Sequence, residues 1–108
     1  MTGPADCQIV GRWRIIGSDL WDRDYLDLVE PAFFRIDPDG NGELVFGVVT
    51  AALDVDYARS VVFFTFTGCD EGDEVSGPGS AELDDDGALE IEISFHYGDD
   101  AVLKATKT

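Results

Sequence analysis

From Ala32 to the carboxyl end, apolar side chains recur at every second position in short runs, and clusters of Gly, Asp, Asn and Pro separate the runs. A period of two puts alternate residues on opposite faces of an extended strand, so this pattern commits most of the chain to half-buried β-structure. Ala32, Phe34 and Ile36 alternate toward Pro38-Asp39-Gly40-Asn41-Gly42, and Leu44, Phe46 and Val48 alternate away from it, which predicts a hairpin. With Phe34 and Phe46 on the buried face, the expected register sets Ile36 opposite Leu44 and leaves Pro38 to Gly42 as the turn. A further strand is expected over Ala51 to Tyr57. Val61 to Phe66 is apolar on both parities and reads as a strand covered on both sides. Leu89, Ile91, Ile93, Phe95 and Tyr97 form the cleanest alternation, and the chain returns through Gly98-Asp99-Asp100 to Ala101, Leu103 and Ala105.

Two segments depart from this rule. Ile9 to Gly17 reads as a first strand, but between Ser18 and Glu30 the residues Trp21, Tyr25, Leu28 and Val29 fall at helical spacing. Ser18 is a candidate cap, acidic residues crowd the first turns and Pro31 discourages continuation, so one short helix is expected there. Gly68 to Gly79 is rich in Gly, Asp, Glu and Ser and reads as the longest loop.

The 108 residues suit one domain, spanning 1–108, with enough chain to bury a shared core. The expected fold is all-β: an antiparallel up-and-down meander of about eight strands, with one short helix after the first, because strands joined by hairpins pair with one another. Curling into a small barrel would remove the exposed edges. The meander is expected to form such a barrel or a strongly curled sheet, and a flatter two-layer sandwich is the alternative.

The chain carries 23 Asp plus Glu against 7 Lys plus Arg, a formal net charge of −16. Such a surface repels phosphate backbones and anionic lipid, so neither nucleic acid nor a membrane is an expected partner, whereas basic proteins are attracted. Acidity of this kind also serves solubility alone. No apolar run approaches the length of a membrane span and the first residues lack a signal-peptide pattern, so a cytoplasmic location is expected. Cys7 and Cys69 lie far apart without Cys-x-x-Cys spacing, and reduced thiols are the default.

Asp37-Pro38-Asp39-Gly40-Asn41-Gly42 matches the opening of a calcium-binding EF-hand loop, but the twelfth place, where a bidentate Glu belongs, is Val48. Pro, Asp, Asn and Gly are equally the residues of a hairpin turn. His96, the only histidine, shares a strand face with Glu90, Glu92 and Ser94 and precedes the Gly98-Asp99-Asp100 turn. A histidine near carboxylates could ligate a metal or act as a general base, although one histidine without a second nitrogen or thiolate is a poor zinc site. Phosphate loops, nucleophile elbows and His-Glu-x-x-His patterns are missing from the sequence, so no cofactor is expected and an enzyme is disfavoured. Trp21 opens the expected helix and His96 precedes the last turn. If the helix buries its apolar stripe on the sheet the two segments meet, which makes Trp21, Asp22, His96, Asp99 and Asp100 the candidate binding residues.

Gly11-Arg12-Trp13 resembles the Gly-x-Trp motif of the calycin superfamily, which includes the lipocalins. In that superfamily the Trp closes the base of a small barrel and a basic residue of the last strand packs on it, a part open here to Lys104 or Lys107. Along nearly its whole length the chain also resembles a family of small acidic uncharacterised bacterial proteins. The resemblance rests on Gly11-x-Trp13, Trp21-Asp22, Asp27, Pro31-Ala32, Gly40-x-Gly42-Glu43, Phe46-Gly47, Gly68, Ser76-Gly77 and His96-x-Gly98-Asp99-Asp100. A basic residue follows the Ser-Gly pair in that family and a small hydroxyl residue follows Gly-Asp-Asp, whereas Pro78 and Ala101 stand here. These departures argue against anion binding by the two loops.

Three functions follow as expectations. The first is a noncatalytic acidic module that engages a protein partner. The second, implied by the calycin resemblance, is a small barrel holding an apolar ligand. The third is a metal or enzyme site around His96.

Overall fold

The computed structural model describes residues 8–58, 60–95, 98 and 100–108. Eight strands form one closed barrel in sequence order: β1 (Gly11–Ser18), β2 (Phe33–Ile36), β3 (Asn41–Phe46), β4 (Val49–Tyr57), β5 (Val61–Asp70), β6 (Asp73–Leu83), β7 (Leu89–Ser94) and β8 (Asp100–Lys107). Every neighbouring pair is antiparallel, and β1 pairs with β8 to close the ring. Closure selects the barrel over the sandwich, although the β5–β6 hairpin runs past β7, which pairs with β6 only from Gly79 to Leu83. A register shift between Ile15 and Gly17 on β1 marks a bulge where the ring closes, a device that sharpens local twist.

The inward parity is the apolar one. Trp13, Ile15, Phe34, Ile36, Leu44, Phe46, Leu53, Val55, Leu89, Ile91, Ile93 and Leu103 are all buried. Val61 to Phe66 is not covered on both sides: Val62, Phe64 and Phe66 point inward, whereas Phe63 points outward and is 55% exposed. At the base of the barrel the Trp13 indole Nε1 donates to the Ile9 carbonyl at 2.8 Å, and Lys107 Nζ lies 4.9 Å from the Trp13 ring.

The first hairpin differs from expectation by two residues. Ile36 pairs with Gly42 and Phe34 with Leu44, so the faces stand but the turn is shorter. Its loop, Pro38-Asp39-Gly40, is closed by the Asp37 N–H donating to Asn41 O at 2.9 Å, with Gly40 at φ 90° supplying the left-handed residue that a three-residue hairpin needs. The Tyr57 hydroxyl donates to Asp37 O and accepts from Gly40 N, which pins this loop to β4. Asp37 meanwhile accepts from Arg35 Nε at 3.0 Å, an arrangement suited to a turn and not to a calcium loop. On the next hairpin, Gly47-Val48 is a tight turn, so Val49 and not Val48 is buried and β4 starts earlier than Ala51.

The helix is much shorter than Ser18 to Glu30. It comprises only Arg23–Leu26 (α1), capped by Asp22 and not by Ser18, which remains in β1. Asp27 ends it: its Oδ1 accepts from Ala32 N at 3.0 Å and its Oδ2 from Arg14 at 2.8 Å, bonds that hold the chain in a turn toward β2. Leu28 and Val29 are consequently exposed and not part of a buried stripe.

The expected loop at Gly68 to Gly79 is instead most of a long hairpin. β5 and β6 pair from Val61↔Glu82 to Asp70↔Asp73 around a two-residue turn, Glu71-Gly72, whose φ angles of 52° and 93° are those of a primed turn. Gly68, Gly77 and Gly79 are strand residues at places where a side chain would meet the neighbouring strand's backbone or, at Gly79, the Phe64 ring. Gly79 pairs with Phe64 and Gly77 with Phe66, and a Cβ at Gly79 would lie 2.5 Å from the Phe64 ring.

Candidate functional site

Trp21 sits at the end of the barrel opposite Trp13, where α1 closes the opening. Its ring stacks on Tyr25 at 5.9 Å between centroids, tilts against Phe46 at 4.7 Å and meets Phe95 edge-on at 6.1 Å, and Phe95 in turn meets Phe66 at 5.4 Å. Aromatic groups of this size bury large areas, and here they form a plug. The Tyr25 ring lies over Gly47, whose N–H donates to Leu26 O at 2.7 Å. Burial raises the Tyr25 hydroxyl above its ordinary pKa, and the carboxylates of Asp70 and Glu71 add to the effect.

Asp22 is occupied as the helix cap, its Oδ1 accepting from Tyr25 N at 2.9 Å. The segment between β1 and α1 is tied to the last strand by two bonds, Asp19 N to Val102 O at 3.1 Å and Val102 N to Asp19 Oδ1 at 2.8 Å. Asp100, exposed at the start of β8, shares a shallow outer cleft of about 220 Å³ with Asp19, Glu92 and Ser94. The structure thus brings Trp21, Phe95 and Asp100 to one end of the barrel. His96 and Asp99 lie outside the described residues. Among the described residues no group of three or more His, Cys, Asp or Glu is placed to hold a metal ion.

The outer wall formed by β4 to β7 holds a surface that the sequence reading missed. Cross-strand pairing lines up Asp56, Phe63, Ser80 and Glu92 on successive strands, with Glu82 opposite Glu90 in the adjacent row. Phe63 therefore stands between two clefts. One, of about 310 Å³, is lined by Val61, Phe63, Ser80, Glu82, Glu90 and Glu92, and the other, of about 250 Å³, by Asp54, Asp56, Phe63, Phe64 and Thr65. Small Ser80 beside a large Phe63 creates the first cleft. The signal was present in the sequence as an apolar residue at the outward parity of β5, but a residue of that kind is equally the mark of a covered strand.

Charge is segregated around the barrel. Arg14 pairs with Asp27 at 2.8 Å, and Arg35 pairs with Asp37 and Glu43 at 3.0 Å each. Arg12 lies over the Phe33 ring at 4.0 Å, and Lys107 over Trp13. These cations belong to β1, β2 and β8. Strands β4 to β7 contain no Lys or Arg at all. The nearest cation of a neighbouring strand is Lys104, opposite Glu90 on β8. Arg59, between β4 and β5, lies outside the described residues.

No known protein family matches this chain, and no curated protein is significantly similar to it. Among the described residues no helix is long and apolar enough to cross a membrane.

Proposed function

We propose that this barrel is a noncatalytic binding module that engages a basic protein partner in the cytoplasm. The observation that carries the reading is the segregation of charge. Arg14 and Arg35 are held in ion pairs and Arg12 and Lys107 on aromatic rings on one side of the barrel. The β4 to β7 strands present carboxylates and no Lys or Arg around an exposed phenylalanine, with Lys104 of β8 at the margin beside Glu90. A dense field of one sign speeds encounter with an oppositely charged protein, and an exposed aromatic is the kind of residue that anchors an interface. Among the described residues Cys69 is an exposed thiol outside any disulfide, which suits a reducing compartment. The alternative of an apolar ligand inside the barrel is opposed by the interior packing, where Phe34 and Phe64 lie 5.6 Å apart between centroids.

The test is affinity capture from extract of the native host, run beside a variant with Asp54→Asn, Asp56→Asn, Glu90→Gln and Glu92→Gln. A discrete basic protein should be retained by the natural chain and lost by the variant, with affinity that falls as salt rises. Equal capture by both chains, or recovery of acidic proteins only, would overturn the proposal.

A further inference from the structure

Two outward-facing phenylalanines on this barrel have opposite fates. Phe33 on β2 is 6% exposed, and Arg12 of the neighbouring strand places its guanidinium 4.0 Å from the ring centroid. Phe63 on β5 is 55% exposed, and no cation of the described residues lies over it. A guanidinium is flat, weakly hydrated and permanently charged, so it stacks on an aromatic face while its edge donates to carboxylates. Beside Phe63 the carboxylates are in place: Glu82, Glu90 and Glu92 line the same cleft as the ring. Glu82 and Glu90 also face each other directly on neighbouring strands, a like-charge pair that costs stability; Lys104 stands across from Glu90 on its other side, whereas Glu82 has only Val61 on its other side.

We propose that the cleft bounded by Phe63, Glu82, Glu90 and Glu92 receives an arginine side chain of the basic partner. The guanidinium stacks on Phe63, as Arg12 does on Phe33, and its N–H groups donate to the glutamates. Asp56 and Glu92 are three strands apart, about 14 Å at the usual spacing, so the partner presents a second basic group to Asp54 and Asp56 on the far side of the ring. The inference rests on the acidic-module reading and adds to it the place, the residue type and the reason that arginine is preferred over lysine. A lysine ammonium is a compact, strongly hydrated point charge and gains less from the ring face.

The experiment titrates the isotopically labelled full chain, at low salt, with an arginine-glycine repeat peptide and with its lysine-glycine twin, following backbone amide shifts. Shifts should concentrate on residues 61–65, 80–82 and 90–92, and the arginine peptide should bind at least threefold more tightly. Phe63→Ala should erase that preference. Phe63→Leu, which keeps apolar bulk without a π face, should erase it as well, so the result does not depend on either variant alone. The double change Glu82→Gln and Glu92→Gln should weaken both peptides. Equal affinity for the two peptides, or shifts confined to the hairpin tip at residues 70–74, would overturn the arginine cleft and leave the acidic-module reading standing. Failure of both peptides to bind would remove both.

Discussion

Phe64 on β5 lies directly opposite Gly79 on β6, and its ring fills the space in which a side chain at position 79 would begin. A Cβ there would come within 2.5 Å of two ring carbons and 2.8 Å of Glu92 O. Gly79→Ala should therefore force the ring out of its rotamer and cost about 1 to 3 kcal/mol, the range for overpacking a filled core. Gly87→Ala, where nothing lies within 4 Å and only the φ of 82° resists, should cost less. Urea denaturation of the two variants checks the order, and a larger loss at Gly87 would contradict the packing account.

Lys107 closes the base of the barrel on Trp13 in the same manner. Its Nζ donates to Val10 O at 2.9 Å while lying over the indole, and Gly11 at φ 133° leaves the room it needs, since a Cβ would lie 2.1 Å from Nζ. Lys107→Met keeps the stem and removes the charge, and it should lower stability by about 1 kcal/mol, the scale of an exposed cation–π contact with one hydrogen bond. Gly11→Ala should cost more, because it strains the backbone and displaces the lysine together. Equal stability of natural chain and Lys107→Met by thermal melting would show that the contact contributes nothing.

Asp27 gives the molecule an acid-sensitive joint. Its carboxyl is held below the ordinary range, first by the hydrogen bond from Ala32 N and then by Arg14, against an opposing effect of burial. A carboxyl whose folded pKa is depressed stabilises fully above its unfolded value, near 4, and that contribution is lost as pH falls through the folded value. Asp27→Asn should destabilise the chain at pH 7 and should narrow its gap from the natural chain at pH 3. Denaturant midpoints at the two pH values test this, and a gap that stays constant would place the stabilisation elsewhere.

The facing pair Glu82 and Glu90 should make stability depend on salt. Screening weakens repulsion between exposed charges, so the melting temperature should rise from low to moderate ionic strength. Glu82→Lys replaces a repulsive cross-strand pair with an attractive one and should stabilise by roughly 0.2 to 1 kcal/mol, most visibly at low salt. A melting temperature flat in salt for the natural chain would indicate that the wall is already neutralised.

Alternation by itself determined which side chains face the interior. Phe34, Ile36, Leu44, Phe46, Leu53, Val55, Leu89, Ile91 and Ile93 are buried as their parity requires, because the two faces of a strand are set by local geometry and need no knowledge of the neighbour. For the same reason the first hairpin kept its faces when its pairing moved by two residues to Ile36↔Gly42. The hydrogen bonds around Gly40 and Tyr57 set that register, and they depend on β4 being in place. Gly68 to Gly79 read as a loop because a glycine in isolation signals a turn. Only neighbours brought in by the other strands, the Phe64 ring beside Gly79 and the Ser94 carbonyl beside Gly77, make these glycines the residues that fit a sheet. The helix was cut short by Asp27, whose partners Ala32 and Arg14 converge on it only in the folded chain. The candidate surface followed the same division. Phe33 and Phe63 are alike in sequence as outward-facing aromatics, and it was tertiary structure that covered one with Arg12 and left the other exposed among carboxylates, because a side chain's cover comes from strands that the local pattern does not contain.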